Sequence, residues 1–147
     1  MNLFAKMNQQ ATIWIKDMMA ALGTEDAHKA LHALRAGLQA LRDRLTVDDA
    51  AQLSAQLPLI IRGMFFEGWD PSATPLRIRH RAEFLALVRE KYAPREDVPA
   101  EDIMRSLFRL LNRHVTSGEV SHLMLTLPEE LTEMVGGRGF EEGADGR

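Results

Sequence analysis

Hydrophobic residues recur three and four positions apart along most of this chain. The first such run is Trp14, Ile15, Met18 and Leu22. A second and longer run is Leu31, Leu34, Leu38, Leu41 and Leu45. This spacing places apolar side chains on one face of an α-helix. Because the sequence has no run in which apolar and polar residues alternate, as they do in a half-buried strand, the pattern predicts an all-α protein.

The same pattern occurs twice, 70 residues apart. The stretch "LRDRLTVDDAAQLSAQLP" at 41–58 corresponds to "LNRHVTSGEVSHLMLTLP" at 111–128, and 6 of the 25 positions in 41–65 are identical in the second copy. Such self-similarity indicates two copies of one supersecondary unit. We therefore expect two tandem four-helix units, about eight helices in all, packed as one helical bundle-like domain. The expected ranges are a first unit at 1–66 with its core at 10–66, a linker at 67–78, a second unit at 79–137 and a flexible tail at 138–147.

Threonines mark the start of the third helix in each unit. Thr46 and Thr116 both follow the end of a leucine-rich run and precede acidic residues, which is typical of an N-cap. The sequence "TSGE" at 116–119 has the form of a full capping box. In that motif the Thr116 side chain accepts one backbone N–H, and the Glu119 carboxylate accepts the N–H of Thr116 itself.

Prolines and glycines predict further boundaries and one contact. Pro58 and Pro128 should each begin a fourth helix, because proline disfavours helix at the preceding residue but is accepted in the first turn. Gly136-Gly137 should end the last helix. Gly37 lies inside a helix, where glycine costs about 1 kcal/mol relative to alanine. A close approach of another helix, or a contact between the units, would compensate for this cost.

Four stretches carry a resemblance to a known family: "EFLALVREKY", "LRDRLTVDDAAQLSAQLP", "RGMFFEGWDP" and "LTLPEELTEMV". Over roughly residues 10–136 the chain resembles the bacterial family named domain of unknown function 2267. The resemblance implies an all-α tandem of helical bundles in a bacterial protein. It implies no catalytic residues, because the family name assigns no activity.

Composition mainly excludes classes of function. A chain of 147 residues suits one domain or two small lobes that share a core. The absence of cysteine excludes disulfides, thiolate catalysis and Cys-based metal sites. A net charge of −3 gives no reason to expect nucleic acid or an acidic membrane as partner. The start "MNLFAKMNQQ" has no signal-peptide core, and no apolar run approaches the ~20 residues that span a bilayer, so we expect a cytoplasmic protein.

The segment "RGMFFEGWDP" at 62–71 is the first candidate site. Phe66 and Trp69 have no aromatic or aliphatic counterpart in the second unit, where glycines stand instead. Two extra aromatic rings beside the linker could line a pocket or a partner groove. They could equally fill the seam between the units. The candidate partner- or ligand-binding residues are Arg62, Phe66, Trp69 and Asp70.

Arginines form the second candidate site, in a cluster at 77–81 and in a stripe along the sixth helix. The candidates for binding phosphate of RNA, DNA or a small ligand are Arg77, Arg79, Arg81, Arg105, Arg109 and Arg113. The stripe is also compatible with an ordinary solvated face, since Glu101 and Asp102 lie one turn earlier. Specific DNA binding is not expected, because the two helices placed as in a helix-turn-helix begin with carboxylates, which repel phosphate.

Histidines give only a weak metal site. His28 and His32 stand four apart on the second helix, a spacing that can share a metal ion. Both lie on the polar flank of the leucine face, however, where surface histidines are the commoner explanation. We therefore predict no metal and no cofactor. The sequence also contains no recognisable set of nucleophile, base and orienting acid, so we predict that the protein is not an enzyme.

The functional expectation that follows is a non-enzymatic protein-binding or scaffold module. Helical-repeat surfaces commonly serve recognition, and the partner would be another protein or a second copy of the chain. Two alternatives remain open at this point. One is a small-ligand or metal-binding protein that uses the cleft between the units. The other is weak association with nucleic acid through the arginine stripe.

Overall fold

The computed structural model describes residues 3–135, which form eight α-helices, one short 3-10 turn at Pro71–Ala73 and no strand. The helices are α1 (Ala5–Leu22), α2 (Ala27–Arg44), α3 (Val47–Ser54), α4 (Leu59–Phe66), α5 (Arg81–Tyr92), α6 (Ala100–His114), α7 (Ser117–Thr126) and α8 (Glu129–Val135). The prediction of an all-α fold with about eight helices is confirmed. Between residues 3 and 135, no helix is both long and apolar enough to cross a membrane.

Side-chain caps begin α3 and α7 as predicted. Thr46 Oγ1 accepts the N–H of Asp49 at 3.1 Å, and Thr116 Oγ1 accepts the N–H of Glu119 at 3.2 Å. The other half of the predicted capping box is wrong. The N–H of Thr116 donates to the side-chain oxygen of Gln56 at 2.8 Å, so a residue from the first half of the chain satisfies this helix start.

The two prolines begin helices where the sequence placed them. α4 starts at Leu59, directly after Pro58, and α8 starts at Glu129, directly after Pro128. The expected helix stop at Gly136-Gly137 and the expected tail at 138–147 lie outside the described residues.

The helix boundaries follow the sequence repeat, but the packing crosses between its two halves. α2 ends at Arg44 and α6 ends 70 residues later at His114. α2 nevertheless packs against both α5 and α6, and α1 packs against α6. The buried apolar residues of both halves form one continuous core. The division into two tandem units with a linker at 67–78 therefore stays a prediction from the sequence.

Gly37 lies where α2 and α6 approach each other closely. A Cβ atom built at Gly37 would lie 3.1 Å from Cγ2 of Ile103 and 3.2 Å from Cδ2 of Leu107, both on α6. These distances are shorter than ordinary van der Waals contacts, so a side chain at this position fits only if the Ile103 and Leu107 side chains move by a few tenths of an ångström. The predicted crossing at Gly37 is confirmed. The packing it allows offsets the poor helix propensity of glycine.

α3 and α7 are joined by two polar contacts that the 70-residue repeat relates to each other. His122 Nε2 lies 2.8 Å from Asp49 Oδ1, and Gln52 Nε2 donates to Glu119 Oε1 at 2.8 Å. Asp49 corresponds to Glu119 in the repeat, and Gln52 corresponds to His122. The same pairing is therefore made in both directions, as in an isologous interface. The two contacts therefore join equivalent positions of the two halves.

Two side chains at this junction, Glu119 and His122, have raised pKa values. The bond to the Asp49 carboxylate is the main reason why the pKa of His122 is raised. Burial raises the pKa of Glu119, which is 3% exposed and whose Oε2 has no hydrogen-bond partner among the described residues. Both groups therefore bind a proton more tightly in the folded chain than in the unfolded chain.

The close approach at Gly37 predicts a strong effect of adding a side chain there. Gly37→Leu, which introduces the residue found at the equivalent position 107, should lower the free energy of unfolding by about 1–3 kcal/mol because the core is overpacked. Gly63→Leu on α4 is the matched control, since a Cβ at Gly63 meets nothing within 4 Å. Urea unfolding followed by circular dichroism compares the two. Equal stabilities would contradict a close α2–α6 contact.

The α3–α7 junction predicts a dependence of stability on pH. A group whose pKa is raised on folding contributes stability below its unfolded pKa and loses it as pH rises through the folded pKa. Glu119 and His122 should therefore make the protein less stable as pH rises from about 5 to about 8. The double variant Glu119→Gln/His122→Gln should show a smaller decline in urea-unfolding series, while Glu133→Gln, on the exposed side of α8, should keep the wild-type decline. A double variant with the wild-type pH profile would argue against this source.

Candidate functional site

The aromatic residues of the 62–71 segment pack against the core. Phe65 is fully buried, and Phe66 and Trp69 are half-buried. The ring centroids of Phe65 and Phe66 lie 5.0 Å apart, and those of Phe66 and Trp69 lie 4.9 Å apart. The indole N–H of Trp69 is buried without an acceptor among the described residues. This placement favours the packing interpretation of the two extra aromatics. Their role in binding stays a prediction.

The two polar residues that flank the aromatics serve the backbone near them. Arg62 donates from Nε to the carbonyl of Ser54 at 2.8 Å and from Nη2 to the carbonyl of Leu57 at 2.9 Å. It therefore caps the C-terminal end of α3. Asp70 accepts the backbone N–H and the hydroxyl of Ser72. Arg62 and Asp70 thus lie in separate local structures, and the four predicted residues do not form one constellation.

A buried arginine that the sequence analysis missed holds the aromatic segment in place. Arg42 is 1% exposed. Its Nη1 donates to the carbonyls of Phe65 and Glu67, both at 2.9 Å, and its Nη2 lies 2.7 Å from Asp43 Oδ1. Gln39 Nε2 adds a bond to the carbonyl of Met64 at 2.9 Å. The sequence did indicate burial of this position, because residue 42 lies four residues after the core residue Leu38 and three before the core residue Leu45.

An open groove lies between α1 and the α3–α4 turn. It encloses about 580 Å³ and is lined by Gln10, Ile13, Trp14, Ala55, Gln56, Leu57, Pro58, Leu59, Arg62 and His114. One wall is rigid: the Trp14 indole stacks on the His114 ring at 4.9 Å, and His114 Nε2 lies 2.5 Å from Asp17 Oδ2. This wall joins the first half of the chain to the second.

Large aliphatic side chains are exposed in and beside this groove. Ile13 is 45% exposed, Leu59 is 53% exposed and the adjacent Ile60 is 44% exposed. Ile61 and Phe65 occupy the buried face of α4. Leu59 and Ile60 lie outside this buried face and are exposed to solvent.

The second half of the chain has glutamates at the three equivalent positions. Glu83, Glu129 and Glu130 stand where the first half has isoleucine, leucine and isoleucine. Glu130 has a structural task, since its carboxylate accepts the N–H of Arg81 at 2.9 Å and contacts His80 Nδ1 at 3.0 Å. These bonds lower the pKa of Glu130 and raise that of His80. At these three positions, therefore, the exposed aliphatic side chains of the first half have acidic counterparts in the second half.

The predicted phosphate-binding arginines separate into paired and unpaired groups. Glu101 binds both Arg81 and Arg105, and these bonds lower its pKa. Arg113 lies 3.7 Å from Asp17. Within residues 3–135 no ion pair involves Arg77, Arg79 or Arg109. The structure brings two of the unpaired arginines, Arg77 and Arg79, to a cavity on the linker together with Arg44, which the sequence analysis missed.

The weak metal candidates His28 and His32 are both exposed on α2. No group of three or more histidine or acidic side chains in the described part of the chain could hold a metal ion.

Comparison with known proteins identifies the family. A family model described as "Uncharacterized conserved protein (DUF2267)" matches residues 11–134. The chain belongs to the DUF2267 family. The resemblance drawn from "LRDRLTVDDAAQLSAQLP" and the related stretches is thereby confirmed, while the expected bacterial origin stays a prediction. No curated protein matches this DUF2267 chain.

Because Arg42 is buried, we expect its loss to lower the free energy of unfolding more than the loss of an exposed arginine. Arg42→Met should lower the free energy of unfolding by about 3 kcal/mol, because the buried carbonyls of Phe65 and Glu67 lose their donor and Asp43 keeps only Lys91 as a cationic partner. Arg35→Met is the matched control: Arg35 also contacts residue 67, through an exposed ion pair with the Glu67 carboxylate at 3.0 Å, and such pairs contribute about 0–1 kcal/mol. Thermal and urea unfolding measure both. Similar losses in the two variants would count against a structural role for Arg42.

Proposed function

We propose that this protein is a non-enzymatic protein-binding module. It would receive an amphipathic helix of a partner protein in the groove between α1 and the α3–α4 turn. The observation that carries the proposal is the exposure of Ile13, Leu59 and Ile60 at positions where the other half has glutamates. Contiguous exposed apolar surface on one face is typical of an interaction site.

The shape of the groove supports a helix rather than a small molecule as the occupant. The groove is open to solvent, and the exposed Ile60 lies next to its lining residue Leu59 on α4. Apolar side chains at its base would meet the anchors of a helix, spaced three and four residues apart. A small ligand would instead need an enclosed cavity that buries most of its surface.

The polar residues of the groove are suited to its rim. Gln10 contributes an amide, which can bond the backbone or polar side chains of a docked helix. The Gln56 amide is already bonded to Thr116 through both its oxygen and its nitrogen. His114 is fixed by Asp17 and by its stack on Trp14. A fixed wall lowers the entropy lost on binding, because these side chains are already ordered before the partner arrives.

The energetic contribution of the exposed residues is large enough to matter. Full burial of an isoleucine or leucine side chain contributes about 1.5–3 kcal/mol. Burying the exposed portions of Ile13, Leu59 and Ile60 would therefore supply a small hot spot. The same surface could bind a second copy of the chain, and the experiment below separates the two outcomes.

Leu59→Glu/Ile60→Glu tests the proposal with the residues that the second half already has there. Both positions are exposed, so folding should be unaffected. Wild-type and variant proteins are immobilised, proteins captured from the host are quantified by mass spectrometry, and each captured protein is then purified and titrated. We expect affinity for the true partner to fall by about tenfold or more, since roughly 1.4 kcal/mol corresponds to each factor of ten.

Leu125→Glu is the matched control, because Leu125 is 85% exposed on α7 and does not line the groove. This control should bind the partner as the wild type does. Sedimentation velocity of the purified proteins covers self-association: a wild-type dimer abolished by Leu59→Glu/Ile60→Glu would identify a second copy as the partner. If the control and the groove variant capture and bind the same proteins equally well, the groove is not the docking surface.

A further inference from the structure

A second cavity lies on the other side of α2, where the segment after α4 returns along the end of that helix. Two backbone contacts hold the segment: the N–H of Leu76 donates to the carbonyl of Asp43 at 2.8 Å, and Arg44 Nε donates to the carbonyl of Ile78 at 2.6 Å. The cavity encloses about 520 Å³ and is lined by Arg44, Thr74, Pro75, Leu76, Arg77 and Arg79. Its volume, like that of the groove, falls within the range of about 300–1,000 Å³ that is usual for small-molecule sites, so the arginines in its lining are what distinguishes it.

Three arginines line this cavity, and no acidic residue does. Among residues 3–135, neither Arg77 nor Arg79 takes part in an ion pair. The nearby carboxylate of Asp43 is already engaged by Arg42 and by Lys91 at 2.9 Å. Burial, and then the charge of Arg79, lower the pKa of Arg44. The cavity therefore concentrates positive charge that the described residues do not neutralise.

Structural explanations account for only part of this charge. The C-terminal end of α2 carries the equivalent of about half a negative charge, which can stabilise one arginine in the last turn. It cannot offset three. Arg35, Arg81 and Arg105, by contrast, each contact a glutamate. Arg89 and Arg109 also lack an ion pair in the described chain, but neither lines this cavity.

We infer that this cavity binds the phosphate group of a small phosphorylated ligand. Guanidinium groups match the geometry of phosphate oxygens and bond them in pairs. Arg44 is oriented by its bond to the Ile78 carbonyl, and Arg77 and Arg79 are exposed, so their guanidinium groups are free to bond the ligand as well. The site is concave and local. A nucleic-acid strand would need a continuous basic path, whereas Arg81 and Arg105 are engaged by Glu101 and the chain has a net charge of −3.

Isothermal titration with inorganic phosphate, pyrophosphate and a single-stranded oligonucleotide tests this inference. We expect saturable binding of one phosphate or pyrophosphate per chain. Arg77→Gln/Arg79→Gln should weaken this binding by about tenfold or more, because each lost guanidinium removes charge-assisted hydrogen bonds. Tighter binding of pyrophosphate than of phosphate would indicate a ligand with a diphosphate group; equal binding would indicate a monophosphate.

Arg89→Gln/Arg109→Gln is the matched control, since it removes two exposed arginines that have no ion pair in the described chain and do not line the cavity. It should bind as the wild type does. The groove variant Leu59→Glu/Ile60→Glu should also retain phosphate binding, which separates failure of this inference from failure of the proposed protein docking. Absence of saturable binding, equal weakening by both arginine pairs, or binding of the oligonucleotide alone would overturn the inference.

Discussion

The close approach of α2 to α6 at Gly37 is the constraint on which the rest of the structure depends. With no side chain at this position, Ile103 and Leu107 of α6 lie directly against the backbone of α2. α2 is thereby held at the centre of the fold, in contact with α1, α4, α5 and α6. The same arrangement places α1 beside the end of α6, where Trp14 can stack on His114. Both candidate sites are built against helices that this crossing fixes.

The difference between the two halves has a structural cause as well as a functional interpretation. α5 begins at Arg81, so the N–H of that residue has no partner within its own helix, and Glu130 supplies one. α1 begins six residues earlier in the repeat, at Ala5. Its backbone at the equivalent position, Ala11, already lies inside the helix and needs no cap. A glutamate at position 60 would therefore have no helix start to cap, and the isoleucine found there is exposed instead.

Features with a local cause could be predicted from the sequence, and features that depend on packing could not. The starts of α3 and α7 follow from threonine caps, and the crossing follows from a glycine inside a helix. The Glu101–Arg105 pair follows from their spacing of four residues. The predicted capping box is wrong because the N–H of Thr116 donates to Gln56, which is 60 residues away in the chain, and not to Glu119. The exposure of Leu59 could not be predicted from the sequence either, because α4 is apolar on both faces and only the packing shows which face is buried.

The last turns of α2 connect the two candidate sites without merging them. Gln39 and Arg42 bind carbonyls at the end of α4, the helix that presents the apolar groove. Two residues further on, Arg44 forms a wall of the arginine cavity and binds the returning segment. A change at Arg42 therefore acts on the support shared by both surfaces, whereas exposed residues such as Leu59 and Arg77 belong to one surface each. Because the support is buried and the recognition groups are exposed, stability and the two proposed binding activities can vary independently in this fold.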